Sequence, residues 1–309
     1  MLVYNSFFKF IYLMNKKKLF ILLLITILLY KIKSKFRKKH NYKYINKYLK
    51  IKTEKFGDKK VIIIDNFLKN PESFIKVKSA KLTYDDNSAY PGIRVPVNIN
   101  IHYELKNFIE NNIKKEYGFT ANNFSDFYHF SIINESNDSL EYGSKIPHQD
   151  CEYNNPLQLN IPKGYRISGV ATVVYLCNPS EKYGGTAIYN LKKDLGNNNF
   201  YTNPKNKDLI EKLFEYKDNK GYMQDKEEIF FEKVYEVPVK FNRAIFYPTY
   251  YFHQPVINSE YFKKTIPLSD KDTRLTLTGW QKYNYLNKIT KNDIEIPVLV
   301  NLERNFQPI

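Results

Sequence analysis

The sequence predicts a mainly β protein with flanking helices, a jelly roll of short antiparallel strands preceded by an N-terminal membrane-anchor helix. Three observations predict it. Short runs of β-branched and aromatic residues recur with turn residues between them: Phe127–Ile133, Ser168–Leu176, Thr186–Asn190, Val234–Val239, Ala244–Tyr247 and Leu275–Trp280. Hydrophobic residues make up 43% and aromatic residues 16% of the 309, enough to build the core of one sizeable domain. Finally, the twelve-residue apolar run Leu19–Tyr30 stands between Lys16-Lys17-Lys18 and a second basic cluster beginning at Lys31.

Residues 1–39 form the expected anchor. Twelve residues at about 1.5 Å each span only about 18 Å, short of the roughly 30 Å hydrocarbon layer. Ile32 and snorkelling lysines make up the difference. No small-residue cleavage site follows, so the segment reads as an uncleaved single-pass anchor contacting the membrane through residues 19–30. Nine basic residues between Lys31 and Lys50 outnumber the four before the run, which puts the folded domain that follows in the cytoplasm. Sequons at Asn123, Asn134 and Asn137 are chance matches in so asparagine-rich a chain.

Residues 40–60 read as a basic, tyrosine-rich linker, and the domain proper covers 61–309. It opens with a β-branched strand from Val61 that runs into a loop at Leu68. Asn70-Pro71-Glu72 then starts a helix ending near Ser79. Residues 191–230 are rich in Lys, Asp and Asn and form a polar insertion with one helix near Lys207–Tyr216.

The formal charge of +16 suggests nucleic acid, but its distribution excludes that partner. Thirteen of the 48 Lys and Arg lie in the first 50 residues, which contain no Asp or Glu. The remainder holds 35 basic against 32 acidic residues, so the domain is nearly neutral. Cys151 and Cys177 lack any zinc or CxxC spacing and read as small buried thiols.

The chemistry lies in Tyr142-Gly143-Ser144-Lys145-Ile146-Pro147-His148-Gln149-Asp150. Side chains two apart on extended chain point to one face, so His148 and Asp150 project together. His253, in the aromatic stretch Phe246–Pro255, supplies a third ligand, giving a facial set of two imidazoles and one carboxylate with open positions for iron(II). Arg274 opens the alternating strand Arg274-Leu275-Thr276-Leu277-Thr278-Gly279-Trp280, from which a guanidinium fork can grip a carboxylate.

These residues resemble the 2-oxoglutarate/iron(II)-dependent oxygenase superfamily, in its prolyl 4-hydroxylase-like branch. Tyr142-Gly143 ahead of His148-Gln149-Asp150 is similar to the family's approach to its first ligand pair. The strand Arg166–Asn178, ending Tyr175-Leu176-Cys177-Asn178, resembles its central strand, and Gly184-Gly185-Thr186-Ala187-Ile188-Tyr189 its Gly-Gly turn. The resemblance covers about residues 127–282. It implies a double-stranded β-helix core, iron(II) held by the catalytic residues His148, Asp150 and His253, and 2-oxoglutarate as cosubstrate with ascorbate as accessory reductant. It also implies that Arg274, Tyr142, Thr172 and Tyr175 line the cosubstrate pocket. Arg274 follows His253 by 21 positions where the family has about ten, which implies an insertion around 259–272.

Tyr90-Pro91-Gly92-Ile93-Arg94 resembles an element of one subgroup, and Arg94 is a candidate for holding an anionic substrate. His102 and His129 have no partner at ligand spacing and read as ordinary polar residues. The expected substrate is a peptidyl side chain or a small molecule. The competing reading is a catalytically inactive jelly-roll binding module.

Overall fold

A computed structural model describes residues 42–79, 93–133, 147–150, 165–179, 183–192, 231–257 and 273–288. Its strands are β1 (Ile51–Phe56), β2 (Lys59–Ile64), β3 (Ile93–Pro96), β4 (Asn123–Ile133), β5 (Tyr165–Tyr175), β6 (Tyr183–Leu191), β7 (Phe231–Val237), β8 (Ala244–Pro248), β9 (Phe252–Ile257) and β10 (Arg274–Lys288). The helices are α1 (Glu72–Ile75), which runs into a 3-10 turn, and α2 (Ile99–Phe108). The Asn98 side chain caps α2 by accepting from the amides of Asn100 and Ile101. The chain is thus mainly β, as expected. Its strands form a seven-stranded sheet in the order β1-β2-β8-β5-β10-β4-β3 and a three-stranded sheet in the order β7-β6-β9, every pair antiparallel.

Cross-strand partners share a face, so the register separates the large sheet into two surfaces. On one surface Ile62, Ile64, Thr172, Val174 and Phe246 point toward α2, where Phe246 meets Phe67 and Phe108 at ring-centroid distances of 5.8 and 5.9 Å. On the other, Ile63, Ala171, Val173, Tyr175, Ile245 and Tyr247 share a buried core with Ile188, Val237 and Ile257 of the small sheet. The two sheets therefore pack as a sandwich, and this second surface is its interior.

The linker expected at residues 40–60 is corrected. Ile51–Phe56 pairs residue for residue with Lys59–Ile64, and Gly57 makes the turn between them at φ 58°. The reason is that β1 is an edge strand: most of it is exposed, so it carries Lys52, Glu54 and Lys55 where a central strand would be apolar. Before it, Tyr44 and Ile45 are tied down through their amides, which donate to the Glu104 carboxylate of α2. The compact unit accordingly runs from Lys43. The expected anchor over 1–39 lies outside the described residues, as do the helix near Lys207–Tyr216 and the 259–272 insertion. Among the described residues no helix is long and apolar enough to cross a membrane.

Gly185 allows the closest approach within the small sheet, since a Cβ there would lie 1.5 Å from the Val237 carbonyl oxygen. Gly185→Ala must push β6 away from β7. The expected loss of unfolding free energy is about 3 kcal/mol, an overpacking cost, measured by urea denaturation with the m-value unchanged.

Candidate metal centre

The residues Pro147 to Asp150 approach the free side of β9. The His148 amide donates to the His253 carbonyl at 3.0 Å and the His253 amide returns a bond to the His148 carbonyl at 2.9 Å. Such a reciprocal pair is one rung of an antiparallel ladder, and it brings the two imidazoles to a ring-centroid distance of 4.4 Å. Two further bonds hold the segment: the Asp150 amide donates to the Thr249 carbonyl at 2.8 Å, and Gln149 Nε2 to the Tyr250 carbonyl at 2.6 Å. Gln149, between the two ligands, thus points away from them and acts as an anchor.

One ligand atom from each of His148, Asp150 and His253 lies within 4.8 Å of the others, a group that could hold a metal ion. His253 Nε2 is 3.3 Å from Asp150 Oδ2, and His148 Nε2 is 3.9 Å from Asp150 Oδ1. Ligands with bonds of about 2.1 Å at right angles stand about 3 Å apart, so only small side-chain movements separate this arrangement from coordination. His253 Nδ1 lies 3.0 Å from the Tyr251 carbonyl, which can only accept. That bond places a proton on Nδ1 and makes Nε2, which faces the carboxylate, the nitrogen available to a metal. Burial acts on Asp150 to raise its pKa, but the neighbouring His253, His148 and Lys282 together hold it well below the usual carboxylate range.

Arg274 points into the sandwich. It is 3% exposed, its guanidinium lies 5.5 Å from the centroid of the Tyr175 ring, and Nη2 makes one long bond of 3.4 Å to the Gly185 carbonyl across on β6. No carboxylate among the described residues pairs with it, and its Nε has no hydrogen-bond partner there. Tyr175 is fully buried beside it, with its hydroxyl donating to Thr186 Oγ1 at 2.8 Å. Burial pushes the phenol up to about 12 against the pull of Arg274, so the ring is neutral.

The other expected residues separate. Thr172 is directly opposite Gly279 and Phe246, on the α2 side of the sheet, and its hydroxyl cannot reach the interior. The expectation that Thr172 lines the cosubstrate pocket is therefore corrected; strand parity turns it away from Tyr175, three positions on. Arg94, opposite Ser131, is on the interior surface and half-buried. Tyr142 lies outside the described residues.

Three interior residues were missed by sequence reasoning. Ser131 and Thr276 are direct partners on β4 and β10, both buried with hydroxyls lacking hydrogen-bond partners among the described residues, and they stand one same-face step from Arg274. His129, 5% exposed, bonds Thr278 Oγ1 through Nε2 at 3.0 Å. Counting by twos from Arg274 along β10 picks out Thr276, whereas Ser131 and His129 need the register of β4 against β10, which only the structure supplies.

The class of protein is thus an antiparallel β sandwich whose small sheet presents two histidines and a carboxylate able to hold a metal ion. A family model described as a family of unknown function (DUF6445) matches residues 47–280, and the chain belongs to that family. No curated protein matches it.

Asp150→Ala removes the one anionic ligand and leaves two neutral imidazoles. It is expected to lower the affinity for Zn(II) or Mn(II) at least a hundredfold by calorimetric titration, with an unchanged circular dichroism spectrum. His129 yields a second prediction. Burial first, then the Arg94 charge, lowers its pKa from 6.5 to about 3. The unfolded chain therefore binds a proton that the native state refuses, and stability present above pH 6.5 is lost as pH falls toward 3. Between pH 7 and pH 4.5 the wild type should lose about 2 to 3 kcal/mol more than His129→Gln in urea denaturation.

Proposed function

We propose that this protein is an iron(II)- and 2-oxoglutarate-dependent oxygenase with a double-stranded β-helix core. The single observation that carries this reading is Arg274. A guanidinium buried in a protein interior costs several kcal/mol unless an anion meets it, and here no protein carboxylate does so among the described residues. A dicarboxylate that ligates a metal with one end and ends in a second carboxylate answers that need. The large sheet bearing the cation and the small sheet bearing the ligands, packed face to face, are the arrangement such a core requires.

In this reading His148, Asp150 and His253 hold the iron in a facial set, with the tautomer of His253 fixed in advance by Tyr251. Iron(II) with 2-oxoglutarate and oxygen supplies the oxidising power to hydroxylate a C–H bond, releasing succinate and carbon dioxide, and ascorbate serves as accessory reductant. Arg274 receives the far carboxylate with its fork, supported by the hydroxyls of Thr276 and Ser131, which have no hydrogen-bond partner among the described residues, and Tyr175 walls the same niche. Arg94, on the same interior surface, faces the substrate. The apolar sheet interior keeps bulk water from the reacting centre. The substrate is a peptidyl side chain or a small molecule, and the run Leu19–Tyr30 tethers the domain to the cytoplasmic side of a membrane. A binding module without catalysis is the competing reading, and stoichiometric metal with no 2-oxoglutarate turnover would favour it.

Arg274→Gln removes a charge-assisted fork and no metal ligand. Its apparent KM for 2-oxoglutarate, measured by succinate release, should rise about ten- to a hundredfold while Mn(II) affinity stays within twofold. Unchanged KM would reject 2-oxoglutarate as the occupant.

A further inference from the structure

The short turn between β8 and β9 holds each part of the metal group in place. Its successive carbonyls take different donors: Thr249 accepts from the Asp150 amide at 2.8 Å, Tyr250 from Gln149 Nε2 at 2.6 Å, and Tyr251 from His253 Nδ1 at 3.0 Å. The turn is closed on itself by the Tyr251 amide, which donates to the Pro248 carbonyl at 3.0 Å. Where this turn stands therefore decides where Asp150 stands.

Thr249 fixes the turn to the large sheet by an exchange of partners. Val170 is directly opposite Pro248, so the next ladder position sets Gly169 against Thr249. A regular rung there consists of two backbone bonds. One is made, the Thr249 amide donating to the Gly169 carbonyl at 2.9 Å. The other is replaced: the Gly169 amide donates to Thr249 Oγ1 at 2.8 Å. The hydroxyl takes the place of the carbonyl in the ladder, and the carbonyl is released to turn toward Asp150. Both residues are buried, so solvent offers the Gly169 amide no other acceptor. Gly169 is itself in close backbone contact with β10, where a Cβ would lie 1.9 Å from the Gln281 carbonyl oxygen, so β5 is a fixed point on that side.

We propose that Thr249 is a positioning residue of the metal group: by taking the ladder bond of Gly169, its hydroxyl frees the carbonyl that holds the Asp150 backbone, and so sets that carboxylate against His148 and His253. The inference rests on reading these three as metal ligands; the exchange of hydrogen bonds does not. A valine has nearly the same shape without the hydroxyl and leaves two outcomes. Either the Gly169 amide is buried with no acceptor, or the carbonyl at position 249 turns back to it and lets go of Asp150. A buried unsatisfied amide costs its full desolvation, whereas Asp150 is only half-buried and water can replace its lost bond, so the second outcome prevails. Metal affinity then falls although every ligand is present.

Zn(II) affinity of the full chain is measured by calorimetry, and hydrogen exchange of the Asp150 amide in the metal-free full chain by mass spectrometry with residue-level fragmentation. The variants are Thr249→Val, Thr249→Ser and Ile245→Val. The last shortens a fully buried side chain of the same strand, β8, and controls for loss of stability alone. Thr249→Val is expected to weaken Zn(II) binding about ten- to a hundredfold and to speed Asp150 exchange about tenfold, while Thr249→Ser and Ile245→Val stay within about threefold of wild type in both. Thr249→Ala, which removes the hydroxyl without setting a methyl against the Gly169 amide, repeats the test should Thr249→Val not fold. Wild-type Zn(II) affinity in the variant lacking the hydroxyl, failure of Thr249→Ser to restore it, or an equal loss in Ile245→Val overturns the proposal. A wild type that binds no Zn(II) overturns the metal reading instead. Exchange then decides the role of Thr249: faster exchange at Asp150 only where the hydroxyl is missing supports it, and unchanged exchange overturns it.

Discussion

The two backbone hydrogen bonds between His148 and His253 join segments that the chain keeps 105 residues apart. Without that rung the Pro147–Asp150 segment has no register, and the histidine and carboxylate it carries have no fixed relation to the third ligand. With it, parity does the rest: His148 and Asp150 point to the same side, and His253 faces them from the neighbouring strand. The rung in turn needs β9 to present a free edge, which it does because β6 occupies only its other side. Thr249 and Tyr250, at the turn between β8 and β9, complete the attachment by accepting from Asp150 and Gln149. The geometry of this candidate metal site is therefore a consequence of sheet pairing, with the segment carrying His148 and Asp150 held by backbone bonds.

The large sheet answers this geometry with an uneven distribution of polarity. Its α2-facing surface is packed with Ile62, Val174, Phe246, Leu275 and Leu277, and its interior surface is most apolar toward β8 and β2. Toward β3 the interior changes to Arg94, His129, Ser131, Arg274, Thr276, Thr278 and Lys282. Among these, the hydroxyls of Ser131 and Thr276 and the Nε of Arg274 have no hydrogen-bond partner among the described residues, and burying such groups costs stability unless something satisfies them. Gly185 shows the same coupling at the backbone level: the close contact with Val237 that forbids a side chain also places its carbonyl where Arg274 reaches it.

Much of this was legible beforehand because the signals were local. β4, β5, β6, β8 and β10 announce themselves as β-branched and aromatic runs, and the His-x-Asp pair needs only strand parity to be read. Arg274 stood out as a charge in an otherwise apolar strand. What escaped depended on pairing. β1 is an edge strand whose exposed lysines resemble a linker, and only its partner β2 makes it a strand. Thr172 was misread because β5 is buried on both surfaces, so the run Ser168–Tyr175 has no polar alternation to tell which residues face the interior. His129 lacks any partner at ligand spacing in the sequence, and only the register of β4 against β10 puts it on the interior surface with Arg274. Long-range pairing, unlike local propensity, leaves no trace within a window of a few residues.

Under the proposed function a single bound molecule joins the His148–Asp150–His253 group to the buried Arg274. The most direct measurement is calorimetric titration of 2-oxoglutarate into the protein with and without Mn(II). One site is expected, tight only when the metal is present, because under the proposed function one end of the ligand is held by the ion while Arg274 holds the other. Succinate, which lacks the chelating keto acid, should show no such gain from the metal. Affinity for 2-oxoglutarate that is equal with and without Mn(II), or absent in both, would contradict it.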